Sequence, residues 1–430
     1  MNRSSPCLAG LLALILLAGN SVTLLGQDSK LQIPETDDGL PGAGPIRRAD
    51  WFKKLWNERR TAWANRRLQD EGAVVFLGDS ITQGWGDNMG GAFPGVKLAN
   101  RGISGDTTRG VLIRLRDDVL ALKPAAVVLL IGTNDLAEKA EPETIAGNLK
   151  LIVTELKQHN GKMPIVLCQV MPSSATKDRP ADKIKQINTL YAAAVKGDPQ
   201  ITLIETFTLF ANAEGDAKKE EFPDLLHPNK DGYAKWAAAI RPILATLGFL
   251  ETEPDSFNPE PGFESLFNGR DLTGWGFRDA KSLEKKDSFD GQTASSDGRY
   301  VAKNGRLIVT TPSEGRKIAQ LWTTREFPKN FTLKLEFRAT PNADSGVFLR
   351  KPQLQCRDYA LAGPAPYNKP GYKPQEWNEL VVVAKDGAAL CTCNGEVLEA
   401  AFKLPESGPI GLEGDRGQME YRRIRIQEQP

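Results

Sequence analysis

A three-layer α/β domain followed by an antiparallel β-sandwich is the fold class that the sequence predicts. Three observations predict it. Short, continuously apolar runs alternate with amphipathic stretches up to about residue 248. The acidic, proline-rich segment ETEPDSFNPEPG (251–262) then interrupts the pattern. Beyond it, many short strand-like runs are separated by Gly, Pro and Asn turns, with almost no helical periodicity. A length of 430 residues suits two domains better than a single core.

Charge narrows the class of partner. The chain carries 55 Lys plus Arg against 54 Asp plus Glu, a formal net charge of +1. So balanced a surface offers no broad field to nucleic acid or anionic lipid. A hydrophobic content of 40% and 28 prolines fit ordinary globular domains with long loops.

Residues 1–27 read as an export signal: Arg3 is the positive start, 8–18 are apolar, and small and polar residues follow through Gln27. The apolar run is short for a spanning helix, so no integral span is expected after cleavage, and a retained N-terminal anchor is the alternative. Cys7 precedes the apolar run and is poorly placed for lipid attachment. Exported, the protein is expected in the periplasm or outside the cell.

A tail and a helix are expected over 28–69, with the helical, tryptophan-bearing stretch at 47–68. The α/β domain is expected over 70–250. Its strands are 73–77, 96–100, 125–131, 165–170 and 201–204, and its helices lie near 108–122, 142–159, 181–195 and 229–247. A linker over 251–261 leads to a sandwich domain over 262–428, with strands at 306–311, 331–339, 345–350, 378–384, 390–393 and 421–426. Cys168 reads as a buried strand residue. Cys391 and Cys393 share a strand face, and either could pair with Cys356.

Histidine is the sharpest chemical constraint, because the chain has two. His159, in KQHNGK, reads as a solvated helix end. His227, in DLLHP (224–228), follows Asp224 by three residues, close enough for the carboxylate to fold back and hold the imidazole. Polar clusters also follow three successive strands: GDSIT (78–82) after the first, NRGISGDT (100–107) after the second, and GTND (132–135) after the third. Each alone could be turn or cap chemistry, as Asp79 and Ser80 could simply cap the next helix. Together they converge on the carboxyl edge of one sheet, where open α/β domains bind ligands.

These blocks, in this order, resemble the SGNH hydrolase family, also called GDSL esterases and lipases, over about residues 70–248. The resemblance implies a flavodoxin-like α/β/α fold. It implies Ser80 as nucleophile, His227 as base and Asp224 as the group that orients it. The oxyanion donors would be the N–H of Gly105, the side-chain amide of Asn134 and the N–H of Ser80. No cofactor or metal is implied. The stretch from GDSITQGW to NRGISGDT is similar to the platelet-activating-factor acetylhydrolase-like branch, which favours an acetyl ester over a long lipid; with the glycan-directed second half described below, the expected substrate is an ester of a small molecule or polysaccharide. No G-x-S-x-G surrounds Ser80, which argues against the other common α/β esterase class. A lysophospholipase-like esterase would want a broad apolar lid, and residues 84–95 are glycine-rich instead.

The second domain opens with FESLFNG (263–269) and DLTGW (271–275), and later carries DSGVFLR (344–350), EWN (376–378) and GPIGL (408–412). This set resembles the 3-keto-disaccharide hydrolase domain, a concanavalin A-like jelly roll. The resemblance implies a glycan-directed face, with Trp275, Arg350, Gln355, Asp358 and Trp377 as candidates to touch sugar. Either tryptophan alone reads equally well as core. The chain departs from that family's pattern at Asp344, Gln353 and Glu413, so glycan binding and glycan cleavage both stay open.

Overall fold

Sequence runs that are apolar on every residue must be covered on both faces, and the first half of the chain builds the layers that do so. The computed structural model describes residues 31–311 and 319–429; the expected export signal and Cys7 lie outside them. Strands β1 (Val74–Gly78), β2 (Leu98–Gly102), β3 (Ala126–Leu130), β4 (Ile165–Cys168) and β5 (Ile201–Ile204) form one parallel sheet in the order β2-β1-β3-β4-β5. Val75, Leu77, Val127 and Leu129 point to one side, against Val111, Ile145, Leu149 and Ile187. Val74, Phe76, Val128 and Leu130 point to the other, against Trp236, Ile240 and Ile243. β1 lies between β2 and β3, so the chain reverses its direction of travel across the sheet there. That reversal opens a crevice at the carboxyl end of β1.

A helix outside this unit closes one end. In α1 (Asp50–Asn65), Phe52, Trp56, Arg60 and Trp63 are buried along one stripe. Arg60 Nε donates to Asp118 at 2.9 Å, and the guanidiniums of Arg59 and Arg101 each lie 5.0 Å from the Trp63 ring. The stripe thus buries charge as well as apolar surface, which is affordable only because each charge meets a carboxylate or an aromatic face.

The expected strand at 96–100 is shifted to Leu98–Gly102. Its second half is polar yet fully buried: the Asn100 amide donates to Thr82 O at 2.8 Å and Gly86 O at 3.0 Å, and Arg101 meets Asp70 at 2.6 Å. An apolar-run criterion ends too early where a strand's polar side chains have built-in partners.

The second domain is two antiparallel sheets. β6 (Glu264–Ser265), β8 (Tyr300–Lys303), β9 (Arg306–Val309), β11 (Phe331–Ala339), β14 (Asn378–Lys385), β15 (Ala388–Cys393), β16 (Glu396–Lys403) and β18 (Met419–Glu428) make one. β7 (Trp275–Phe277), β10 (Leu321–Thr323), β12 (Asp344–Leu349), β13 (Gln353–Gln355) and β17 (Ile410–Arg416) make the other. Leu333, Leu335, Phe337 and Tyr421 meet Val347, Leu349, Leu321 and Leu412 between them. Most strands not anticipated are short, as β7 and β10 are, or lie at an edge with little alternation, as β16 does; β17 is longer and central, but its sequence IGLEGDR is glycine-bearing and polar in its second half.

The acidic segment after residue 250 is pinned along the second domain. Asp255 meets Arg423 at 2.8 Å, and Glu260 meets Arg425 at 2.7 Å and Lys334 at 3.0 Å. From the same domain, Lys303 Nζ donates to Ala245 O and Thr246 O, both at 2.9 Å, capping the C-terminus of the helix Lys230–Thr246.

Two expectations change here. Cys356, Cys391 and Cys393 are free thiols buried in the sandwich core, so the suggested bridge is not formed. Trp275 is fully buried, and its indole N–H donates to Leu266 O at 2.7 Å. It is a core residue and presents no face to a sugar. Trp275→Ala is therefore expected to cost the second domain about 3–5 kcal/mol of stability, the range for emptying a buried tryptophan site. Denaturant unfolding measures this; unchanged stability would return Trp275 to the surface.

Candidate active site

The turn that follows β1 gives the capping task to Asp79 and leaves Ser80 free. Asp79 Oδ1 accepts from Ile81 N at 2.9 Å and so caps the short helix Ser80–Gly84. Ser80, freed from that task, places Oγ 3.0 Å from His227 Nε2. His227 Nδ1 lies 2.7 Å from Asp224 Oδ2, which fixes the tautomer with Nδ1–H donating and Nε2 accepting. Asp224 Oδ1 also accepts from the backbone N–H of Leu226 at 3.0 Å and of His227 at 2.7 Å. Partial burial pushes the Asp224 carboxyl upward, but the His227 backbone, the His227 ring and the Leu226 N–H outweigh it and hold it at about 2. Tyr233, one turn into the following helix, donates to Ile81 O at 2.8 Å and ties the histidine's helix to the serine's turn.

The loop after β2 and the turn after β3 complete the crevice. Gly105 stands at φ +88°, and a Cβ there would lie 2.6 Å from Arg47 Nη1 and 2.7 Å from the Trp51 ring. Both conformation and space demand glycine. The loop is held from below by a fully buried pair: Arg114 Nε donates to Asp106 Oδ2 at 2.8 Å. Arg114 Nη2 also donates to Arg101 O at 2.8 Å and Gly78 O at 3.2 Å, so one guanidinium joins the ends of β1 and β2 to the loop. Gln83 Oε1 accepts from Ser104 N at 2.7 Å. Asn134 Nδ2 donates to Asp106 O at 3.0 Å, while its Oδ1 accepts from Arg179 Nη2 at 2.9 Å. Burial raises three carboxyls under this floor: Asp79 to about 7, and Asp106 and Asp135 to about 6 each, the last two despite donors from Arg114 and Thr108.

Of the sequence candidates, the structure brings Ser80, His227 and Asp224 into one hydrogen-bonded chain, with Gly105 and Asn134 joined through Asp106 in the floor beside it. His159 is exposed at its helix end. The triad is open to solvent, with the His227 side chain 44% and that of Asp224 47% exposed. Its rim holds residues that sequence reasoning did not single out. Arg47 pairs with Glu138 at 2.5 Å and lies over the Trp51 ring, and Trp51 is 53% exposed beside Gly105. The tryptophan-rich helix was visible as a helix, but nothing in its spacing says that it reaches the crevice.

The other candidates of the second domain do not converge. Arg350 is buried and donates to Pro405 O at 2.7 Å and Lys329 O at 2.6 Å, a structural clamp. Asp358 is fully buried, accepting from Asn342 N at 2.8 Å and Tyr372 OH at 3.0 Å. Neither is placed to touch a ligand. Trp377 is half-buried beneath the guanidiniums of Arg338 and Arg422, at 4.7 and 4.0 Å, in a cleft of about 430 Å³ between the domains. Gln355 lies on the outward face of the five-stranded sheet, since its neighbour Leu354 faces the core. On that face Glu413 accepts from Gln320 at 3.2 Å and from Gln353, and Arg357 pairs with Asp344 at 2.9 Å. Burial raises the Glu413 carboxyl. Gln353 and Glu413, two of the positions where the sequence departs from the pattern it resembles, thus meet each other. Among the described residues, no cluster of His, Cys, Asp and Glu is arranged to hold a metal ion, and no helix is long and apolar enough to cross a membrane.

Comparison with known proteins places both halves. The model of the GDSL-like Lipase/Acylhydrolase family matches residues 76–235, and that of the 3-keto-alpha-glucoside-1,2-lyase-like domain matches 262–427. Platelet-activating factor acetylhydrolase IB subunit alpha1 of Homo sapiens is 29% identical over 184 residues, 41% of this chain and 77% of that one. Subunit alpha2 of Bos taurus is 28% identical over 189 residues, 42% of this chain and 79% of that one. A solved GDSL-like lipase from Bacteroides thetaiotaomicron is 27% identical with a TM-score of 0.40, covering 44% of this chain and 98% of that one. Helix α1 and its rim residues fall outside the matched stretch 76–235.

Two outcomes follow from this geometry. Arg114→Met strands the buried Asp106 carboxylate, and losing one partner of a buried pair costs about 3–5 kcal/mol. Asp106 already has its folded pKa raised from 3.8 to about 6, so its contribution favours the folded state at low pH and fades as pH rises through that window. The variant's deficit, measured by denaturant unfolding, should therefore be larger at pH 8 than at pH 5; a pH-independent deficit would contradict it. Asp224→Asn should leave the melting temperature close to wild type while lowering kcat by roughly 10³–10⁴, because the imidazole loses its tautomer.

Proposed function

We propose that this chain, which joins a GDSL-like lipase/acylhydrolase domain to a 3-keto-alpha-glucoside-1,2-lyase-like domain, is an exported serine esterase that removes short acyl groups, acetyl above all, from carbohydrate. One observation carries the reading: His227 Nε2 stands 3.0 Å from Ser80 Oγ while its Nδ1 is held 2.7 Å from Asp224. That is the geometry of a base able to take the serine proton.

The reaction then runs in two halves. Ser80 Oγ attacks the ester carbonyl as its proton passes to His227 Nε2, and the oxyanion forms between the N–H groups of Ser80 and Gly105 and the Asn134 amide. His227 returns the proton to the departing alcohol, leaving an acyl-Ser80 ester. Water, deprotonated by His227, attacks that ester; the acid leaves and Ser80 regains its proton.

The substrate class rests on the openness of the triad and on the partner domain. A part-buried serine beside an exposed His227–Asp224 pair admits a large acylated polymer as readily as a small ester. The face bearing Gln320, Gln353, Gln355 and Glu413 offers planar polar groups of the kind that bind sugar hydroxyls. Export, to the periplasm or the exterior, rests on the sequence of residues 1–27. A lipid reading draws on the relatives named for platelet-activating factor, so an acetylated phospholipid belongs among the test substrates.

The test compares residues 28–430 with Ser80→Ala for acetate release from p-nitrophenyl acetate, acetylated xylan and an acetylated phospholipid. Loss of a nucleophile should remove several orders of magnitude of kcat on the first two, with xylan turned over faster than the lipid. Equal inertness of folded wild type and variant on all three esters would sink the esterase reading. Preference for the phospholipid would sink the carbohydrate one.

A further inference from the structure

An asparagine that serves an oxyanion must present its N–H end, and nothing in the residue itself selects that end, because a carboxamide flipped by 180° has nearly the same shape. The selection at Asn134 comes from two neighbours. Asp106 O can only accept, and it takes one hydrogen of Nδ2 at 3.0 Å. Arg179 can only donate, and its Nη2 meets Oδ1 at 2.9 Å. A flipped amide would set oxygen against oxygen on one side and donor against donor on the other. The second Nδ2 hydrogen is therefore left pointing away from both partners.

Arg179 is itself rigidly held. It is 7% exposed, with Nε donating to Thr133 O at 3.1 Å and Nη1 to Lys177 O at 2.6 Å. It thus grips the backbone of the residue before Asn134 as well as the side chain. Its charge lies within reach of Asp79 and Asp224, the carboxyls that flank the serine and the histidine. It comes from the connection after β4, 45 residues away from the turn it orients.

We propose that Arg179 is a positioning residue for ester hydrolysis: it locks the Asn134 carboxamide in the orientation that directs its free N–H at the developing oxyanion. The proposal rests on the esterase reading above. Asn134 touches the reacting oxygen, and Arg179 acts through it. An interaction made only as charge develops in the transition state changes kcat and leaves KM nearly untouched.

A double-mutant cycle on the full chain, with p-nitrophenyl acetate as substrate, separates this role from general support. Arg179→Met should lower kcat by roughly 10–100-fold, less than the roughly 10²–10³-fold expected for deleting the donor in Asn134→Ala, with KM within about twofold. In the Asn134→Ala background the same Arg179→Met change should cost less than about threefold, since the amide it orients is gone. Equal losses in both backgrounds, or an unchanged kcat in Arg179→Met, would overturn the proposal. If Arg179→Met does not fold, Arg179→Lys carries the same cycle: it keeps the charge and one donor, and its smaller loss should again vanish without Asn134. A Ser80→Ala variant that retains the wild-type rate overturns the esterase reading and this proposal with it. An inactive Ser80→Ala beside a fully active Arg179→Met overturns only the role assigned to Arg179.

Discussion

The buried ion pair between Arg114 and Asp106 is the interaction on which the active-site architecture depends. Neither side chain is exposed, so each alone would carry a large desolvation penalty, and the pair is tolerable because further hydrogen bonds engage both groups. Arg114 Nη2 donates to carbonyls at the ends of β1 and β2, Nη1 lies 3.9 Å from the Asp118 carboxylate, and Asp106 takes the N–H of Thr107. The carbonyl of Asp106 receives the Asn134 amide. One charge pair thereby sets the relative positions of the serine turn, the Gly105 loop and the asparagine turn, which follow three different strands.

The contrast between floor and mouth of the site follows from that arrangement. Below, Asp79, Asp106 and Asp135 are fully buried and their ionisation is disfavoured. Above, His227 and Asp224 are half-exposed and Asp224 is firmly ionised. Rigidity is concentrated where donors must be preorganised, and access is left where a substrate must arrive. The N-terminal helix contributes to both. Its buried stripe packs over the Arg101 and Arg114 guanidiniums, and its exposed Trp51 edges the crevice.

The two domains are joined by more than a tether. The acidic connecting segment is laid against arginines of the sandwich, and Lys303 reaches back to cap the last helix of the α/β domain. A cavity of about 220 Å³ between the domains, lined by Glu205, Ile243, Asn342 and Arg416, contains none of the triad residues. The polar and aromatic groups proposed to meet sugar divide accordingly. Trp377 sits in the interdomain cleft, while Gln353 and Glu413 meet on the open face of the five-stranded sheet.

What the sequence determined by itself were the features written in local chemistry. Continuous apolar strands alternating with amphipathic helices specify a parallel three-layer domain, because only that packing covers both faces of each strand. Ser80, Gly105, Asn134, Asp224 and His227 stood out because each follows a strand or precedes a helix in a characteristic block. Asp224 can reach His227 within three residues, a contact that needs no tertiary information. Tertiary structure alone decided the rest. Arg114, Arg179 and Arg47 act across separations of eight to 91 residues, and an arginine in a helix or loop carries no local mark of the partner it will meet. In the sequence Trp275, Arg350 and Asp358 resemble ligand contacts because aromatic, guanidinium and carboxylate groups serve sugars and cores alike. Burial distinguishes the two uses, and burial is a property of the packed molecule.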